Sequence, residues 1–363
     1  MWSFVAHTIP LYAFYALLFI DNGLSHAQVS ALLAIWSTVA IIAEVPSGAL
    51  ADRFSRRHAL IASGALQAIG YAIWIAAPGF TGFAVGFVLW GSGGALSSGT
   101  FEALLYDGLA ASRSEDQYPH VIGLTTSVGL LAQVPAAVLA TALFAIGGYP
   151  LVGWVSVGVC LLVALLAATL PDHRPATDHA GHDPGYFETL RDGMRSVRSV
   201  PAVRRAAIAV ALLFGLDSME EYFPLQIELW GVRTTWVPVV VLTIPLGGAL
   251  GAAFAGRGAR WSDRALGIML GVAGVLLWIA VMWARPAAVI AIVGFYGVYR
   301  CVLSVAEARM QRQMPSASRA TATSVAALGG ELVGIAVYGV WALGGLGLIT
   351  VVVIVVAVAM PRR

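Results

Sequence analysis

The sequence predicts an all-α polytopic membrane protein with twelve transmembrane helices in two six-helix, pseudo-symmetric bundles. Composition, the spacing of apolar runs and a repeat between the two halves carry that reading. Of 363 residues, 59% are hydrophobic and only 11% charged, with a mean hydropathy of +0.83. Soluble domains carry about one quarter charged residues, so this chain belongs in lipid.

A span needs about 20 mainly apolar residues. Apolar runs between polar or Gly/Pro interruptions predict helices at 4–22, 27–51, 58–77, 80–107, 119–147 and 150–170. Six more fall at 203–224, 234–256, 265–284, 286–308, 319–341 and 343–360. The chain then divides into an N-terminal six-helix bundle at 1–170, a cytoplasmic linker at 171–200 and a C-terminal six-helix bundle at 201–363. The first run follows Met1 with no basic stretch or Ala-x-Ala cleavage site, so it reads as a retained helix.

The chain has no lysine, so arginine alone reports orientation through the positive-inside rule. All the arginines except Arg233, Arg285 and Arg300 fall in loops on one side. That side is the expected cytoplasm, with both termini on it and the protein a multi-pass resident of the plasma (inner) membrane. In the linker, Phe187, Leu190, Met194 and Val197 share one helical face while Arg191, Arg195 and Arg198 take the other, which suits a helix lying on the inner membrane surface. The linker's histidines and aspartates read as a solvated segment, and no metal and no cofactor are assigned. Cys160 and Cys301 lie in apolar runs and read as packing residues. A net charge of +2 gives no argument for nucleic acid.

The halves echo each other. Pro46-Ser-Gly-Ala-Leu-Ala precedes a basic loop and a span with Trp74-Ile75, and Pro245-Leu-Gly-Gly-Ala-Leu precedes another basic loop and a span with Trp278-Ile279. Glu102-Ala103 and Glu307-Ala308 repeat likewise. Two halves in the same orientation are related by an axis along the membrane normal, an arrangement that puts a substrate site near the midplane.

After the second span comes Gly48-Ala-Leu-Ala-Asp52-Arg53-Phe-Ser55-Arg56-Arg57. It closely resembles the inner-loop motif of the major facilitator superfamily, Gly-x-x-x-Asp-Arg-x-Gly-Arg-Arg, with Ser55 in place of glycine. Gly48 permits close helix contact, Asp52 suits a helix N-terminus, and Arg53, Arg56 and Arg57 reach carboxylates or helix C-termini. The resemblance implies the superfamily's twelve-helix fold, a secondary active transporter of a small solute working by alternating access, and an inner gate that this loop closes in the outward-facing state. Glu44-Val-Pro-Ser-Gly, Ser98-Gly-Thr-Phe-Glu102-Ala-Leu-Leu-Tyr-Asp107 and Arg319-Ala-Thr look like a bacterial branch whose substrates are undefined. The antiporter signatures match poorly: the fourth span has Trp90 and no arginine, and the fifth has Gln133-Val-Pro135-Ala-Ala. The loop from Ala255 to Arg264 is a degenerate second copy of the motif, basic but without the matching aspartate.

Ionisable groups at membrane depth cost about 3 kcal/mol each at the centre, so those retained are site candidates. Asp217, Glu220 and Glu221 have the i, i+3, i+4 spacing of one α-helical face. They are either proton carriers or a water-exposed helix end. Glu331, flanked by Gly329, Gly330 and Gly334, reads as the deepest single carboxylate. Arg300, beside Tyr296 and Tyr299, either anchors an anionic substrate or pairs with an acid such as Glu102 or Asp217. The resemblance implies that spans one, four, seven and ten line the cavity, bringing Tyr12, Tyr15, Trp90, Glu102, Asp217 and Arg300 to it, although aromatic residues serve equally as interfacial anchors. Asp21, Glu44, Asp107 and Glu307 lie near helix ends and read as caps or partners of loop arginines.

No Gly-x-x-x-x-Gly-Lys-Ser/Thr loop exists, so ATP hydrolysis within this chain is not expected. The expected partners are a small-molecule substrate, protons and the lipid bilayer, for a monomer. Two alternatives stand beside this reading. One is an integral-membrane transferase, from the stretch Asp107 to Arg113, which lacks the further aspartates its metals need. The other is a transport-fold protein acting as receptor or partner.

Overall fold

The computed structural model describes residues 1–171, 201–313 and 319–359, with the backbone alone at 44–54, 202, 259–260 and 319–322. Helices, short 3-10 stretches and turns make up the described residues, and no strand occurs among them. The chain forms two compact units, Met1–His182 and Asp183–Arg363. The amphipathic helix expected in the linker lies outside the described residues.

In the first unit, the first predicted span is built from α1 (Trp2–Ala6), a 3-10 turn at Pro10–Ala13 and α2 (Tyr15–Asp21). Pro10 has no amide hydrogen and interrupts the helical ladder. α3 (His26–Phe54) starts at a capping box: the Gln28 amide donates to Ser25 Oγ at 3.3 Å, and the Ser25 amide donates to Gln28 Oε1 at 2.9 Å. α4 (Arg56–Ala76), α5 (Phe80–Ser97) and α6 (Thr100–Ala111) follow, so the run predicted at 80–107 is broken at Ser98–Gly99. α7 (Tyr118–Ala168) has 51 residues, about 75 Å at 1.5 Å per residue, against a hydrocarbon core of about 30 Å. It is two helices joined at Gly147–Gly148, where Gly148 at φ 59°, ψ −157° adopts a backbone closed to residues with a Cβ.

The second unit contains α8 (Pro201–Asp217), a 3-10 stretch at Ser218–Tyr222, α9 (Phe223–Leu229), α10 (Val237–Phe254), α11 (Asp263–Trp283), α12 (Val289–Gln313) and α13 (Arg319–Ala359). α13 is likewise broken, at Gly345 with φ 57°. Among the described residues, nine helical stretches are long and apolar enough to cross a membrane. The difference from the twelve predicted has physical causes. Two of the nine contain the breaks at Gly148 and Gly345, and α8, at 17 residues, is too short to be counted because the helix winds into 3-10 geometry at Ser218.

Helix packing inside each unit relies on glycine. α4 lies against both α5 and α7; a Cβ on Gly70 would come within 2.9 Å of the Gly86 carbonyl, and one on Gly64 within 2.9 Å of the Cys160 carbonyl. Trp74, Tyr71, Phe83 and Phe87 fill the first core, with Trp74 Nε1 donating to the Phe83 carbonyl at 3.0 Å. Large apolar side chains such as Leu131, Ile146 and Leu343 face outward, the expected surface of a protein solvated by lipid. The repeat does not preserve packing: Trp74 is buried and its counterpart Trp278 is exposed.

Candidate functional site

In the second unit, α8 ends at Asp217 and hands the chain to the 3-10 stretch. In 3-10 winding, residues three apart eclipse each other. Glu220 therefore stays on the Asp217 side, while Glu221 is carried round the axis, which corrects the single α-helical face expected for all three acids. α12 packs against α8 and presents Tyr296, Tyr299 and Arg300 to them. Arg300 Nη1 donates to Asp217 Oδ2 at 2.8 Å. The Tyr296 hydroxyl lies 2.9 Å from Asp217 Oδ1 and 2.7 Å from Glu220 Oε2. Tyr299 donates to the Leu213 carbonyl at 2.5 Å, anchoring α12 to α8, and its hydroxyl also lies beside the Asp217 carboxylate.

Of the two roles open to Arg300, pairing with Asp217 is the one observed. Four of the sequence candidates, Asp217, Glu220, Tyr296 and Arg300, thus form one hydrogen-bonded group. Glu331 is exposed on α13, and its neighbour Gly330 makes the close approach to α8, where a Cβ would sit 2.8 Å from Phe214 Cβ.

In the first unit, Tyr12 and Tyr15 lie with ring centroids 5.9 Å apart, and Tyr12 stacks on Trp90 at 6.1 Å. Trp36, which the sequence did not single out, completes the group at 5.4 Å from Trp90. Tyr12 is exposed and Tyr15 buried, so Tyr12 is the ring available to a ligand. Glu102, on α6, is an exposed residue. Asp21 accepts a hydrogen bond from the Tyr149 hydroxyl at 2.5 Å, a partner from α7 rather than a loop arginine.

Of the inner-loop motif, the side chains of Gly48, Asp52 and Arg53, and that of Glu44 before it, lie outside the described residues. The rest of the motif is clear. Ser55 has extended backbone, φ 169°, and its hydroxyl caps α4 by accepting from the His58 amide at 3.2 Å. Extended backbone suits any residue and the cap needs a hydroxyl, which explains serine where the family motif has glycine. Arg57 is half-buried. Arg56 Nη1 donates to the Asp107 carboxylate and, at 3.0 Å, to the Ala103 carbonyl, tying the start of α4 to α6. Asp107 is thereby engaged by an arginine and is not presented as a transferase metal ligand.

The second unit holds a counterpart with the charges exchanged. Asp263, at the start of α11, accepts from Arg309 of α12 at 2.6 Å, and Arg309 also donates to the Trp261 carbonyl. Because the polarity is reversed, the pair is invisible to a search for the missing aspartate in the degenerate second loop. Arg56→Asp or Asp107→Arg alone is expected to cost about 2 kcal/mol of stability, since the two side chains keep 24% and 16% exposure and the pair is only partly screened. The double exchange is expected to recover most of that loss. Thermal unfolding of the four proteins in detergent checks it, and unrecovered loss in the double variant would deny the pair its role.

The profile of the Major Facilitator Superfamily matches residues 3–338. The chain belongs to this superfamily. Solved structures agree on the fold. A nucleoside transporter, NupG, is 14% identical with a TM-score of 0.75, covering 99% of this chain and 94% of its own. A bacterial homolog of the human lysosomal transporter Spinster, inward-facing and unoccupied, is 16% identical with a TM-score of 0.76, covering 99% and 93%. A D-xylose–proton symporter is 13% identical with a TM-score of 0.70, covering 99% and 93%. No curated protein matches the sequence at a level that shows a relative. As a superfamily member the chain is a multi-pass membrane protein and a transporter of a small molecule.

Proposed function

We propose that this superfamily member is a proton-coupled secondary active transporter of a small solute, working by alternating access across the plasma membrane as a monomer. The Asp217–Arg300 ion pair, with Tyr296 joining it to Glu220, carries this reading. Charged groups are retained inside a membrane-spanning unit only against a cost of several kcal/mol, and they mark ion or substrate pathways. A purely structural pair would not need a second carboxylate drawn to the same hydroxyl. The D-xylose–proton symporter shows that the fold accommodates proton-driven transport.

The arginine distribution supports twelve crossings with both termini in the cytoplasm. On that topology Arg56–Asp107 and Asp263–Arg309 lie at the inner ends of their spans, where the motif residues Gly48, Asp52, Arg53, Arg56 and Arg57 form the proposed gate. Tyr12 and Trp90 offer aromatic faces to the solute, with Tyr15 packed beneath Tyr12.

The test is uptake by the purified protein in liposomes against a panel of labelled solutes and cationic dyes. Saturable movement of at least one compound, absent from empty liposomes, is the expected result. Binding without movement would instead make the chain a receptor built on a transport fold.

A further inference from the structure

The proton-coupled reading leaves open which atom carries the proton, and the hydrogen count at Tyr296 addresses that. A phenol oxygen has one hydrogen to give and two lone pairs to receive. Tyr296 Oη is within hydrogen-bond distance of two carboxylate oxygens, Asp217 Oδ1 at 2.9 Å and Glu220 Oε2 at 2.7 Å. Two ionised carboxylates bring no hydrogen, so one hydrogen would have to serve both contacts. A second hydrogen, on one of the acids, gives each contact its own.

The surroundings decide which acid. Asp217 already accepts from the Arg300 guanidinium at 2.8 Å, and a charge-assisted bond of that kind requires the ionised form. The other charged or titratable groups near the site do not reverse this order. Glu221 shares the 3-10 stretch with Glu220, Tyr299 and Glu307 come from α12, and Glu331 comes from α13; the Tyr299 hydroxyl, bonded to the Leu213 carbonyl, also lies beside Asp217, where a donor favours the ionised acid, and the remaining three are acids that add no positive charge on the Glu220 side.

We propose that Glu220 is the proton-loading site, holding one exchangeable hydrogen that it donates to Tyr296, with Tyr296 in turn donating to the Asp217–Arg300 pair. The relay step balances. The Glu220 O–H bond breaks as its hydrogen passes to Tyr296 Oη, the former Tyr296 hydrogen passes to Asp217 Oδ1, and Glu220 is left ionised with Asp217 neutral. Arg300 then loses its ionic partner, so a proton taken up at Glu220 is converted into release of an arginine one helix away. Tyr296 is a relay and positioning residue, since its chemistry acts through the two acids.

This inference rests on the proton-coupled reading but its test needs no substrate. Infrared difference spectra of the purified protein near neutral pH are recorded for the wild type, Glu220→Gln, Asp217→Asn and Tyr296→Phe, each checked for a single elution peak in detergent. The wild type is expected to show the carbonyl band of a protonated carboxylic acid. Glu220→Gln loses that band, Asp217→Asn retains it, and Tyr296→Phe retains it at a shifted frequency because the acid has lost its acceptor. Should Glu220→Gln not fold, Glu220→Asp is the second variant and is expected to move the band. A wild type with no such band, or a band that survives unshifted in both Glu220 variants, overturns the proposal. Gradient-driven transport without the band would sink this assignment alone, and the band without gradient-driven transport would sink the coupling reading alone.

Discussion

Asp217→Asn is expected to reduce solute movement at least tenfold and to lower stability by about 2 kcal/mol. The substitution keeps the shape of the side chain and removes its charge, leaving Arg300 without the carboxylate it meets at 2.8 Å. Stranding one partner of a wholly buried pair costs about 3–5 kcal/mol. Here the side chains of Arg300 and Asp217 keep 34% and 21% exposure, so solvent offsets part of the penalty. Removing the second charge as well, in Asp217→Asn with Arg300→Gln, is expected to restore most of the stability, because a pair deleted whole leaves nothing stranded. Transport is not expected to return. Thermal unfolding and liposome flux on the wild type, Asp217→Asn, Arg300→Gln and the double variant separate the two effects, and a double variant that transports like the wild type would show that the pair only holds α8 to α12.

Gly251→Ala is expected to be the most damaging single-methyl change in the second unit. α10 and α12 touch there at the backbone, and a Cβ on Gly251 would overlap the Gly297 carbonyl, with the rest of that peptide also closer than 3.0 Å. A flexible side chain can swing aside but a helical carbonyl cannot, so the two helices must separate. Overpacking of this kind costs about 1–3 kcal/mol, and a backbone clash belongs at the upper end. Gly271 on α11 is the control, because a Cβ there meets nothing within 4 Å. Gly271→Ala is expected to leave the unfolding midpoint unchanged or raise it slightly, as alanine favours helix over glycine. Equal midpoints for the two variants would contradict the close α10–α12 contact.

What the sequence revealed and what it hid follow from the range of each interaction. Apolar runs and arginine bias are local signals, and they marked the helical, membrane-spanning character of the chain. The glycine break at Gly148 lay in the short interruption between the spans predicted at 119–147 and 150–170, whereas the one at Gly345 falls just inside the span predicted at 343–360. The inner-loop motif was legible because its residues are contiguous, and the serine that departs from it has a capping role that the local pattern alone did not disclose.

Asp217, Glu220, Tyr296 and Arg300 were each visible as polar groups in apolar runs. Their assembly was not, because it joins elements about 80 residues apart, where no periodicity reports a contact. The α-helical spacing of the three acids misled for a specific reason: the helix tightens to 3-10 geometry at Ser218, which moves Glu221 off the shared face. Trp36 escaped notice because a tryptophan in a span reads as packing until Trp90 is seen beside it. Asp263 and Arg309 escaped because the second unit keeps the ion pair and exchanges its signs.

The most direct test of the central claim is flux through reconstituted liposomes with an imposed pH gradient, for the wild type beside Asp217→Asn. The account predicts solute movement that follows the direction of the gradient in the wild type and is lost in the variant. Movement indifferent to the gradient, and unchanged in Asp217→Asn, would contradict it and leave the chain a passive carrier whose acids serve only to hold its helices together.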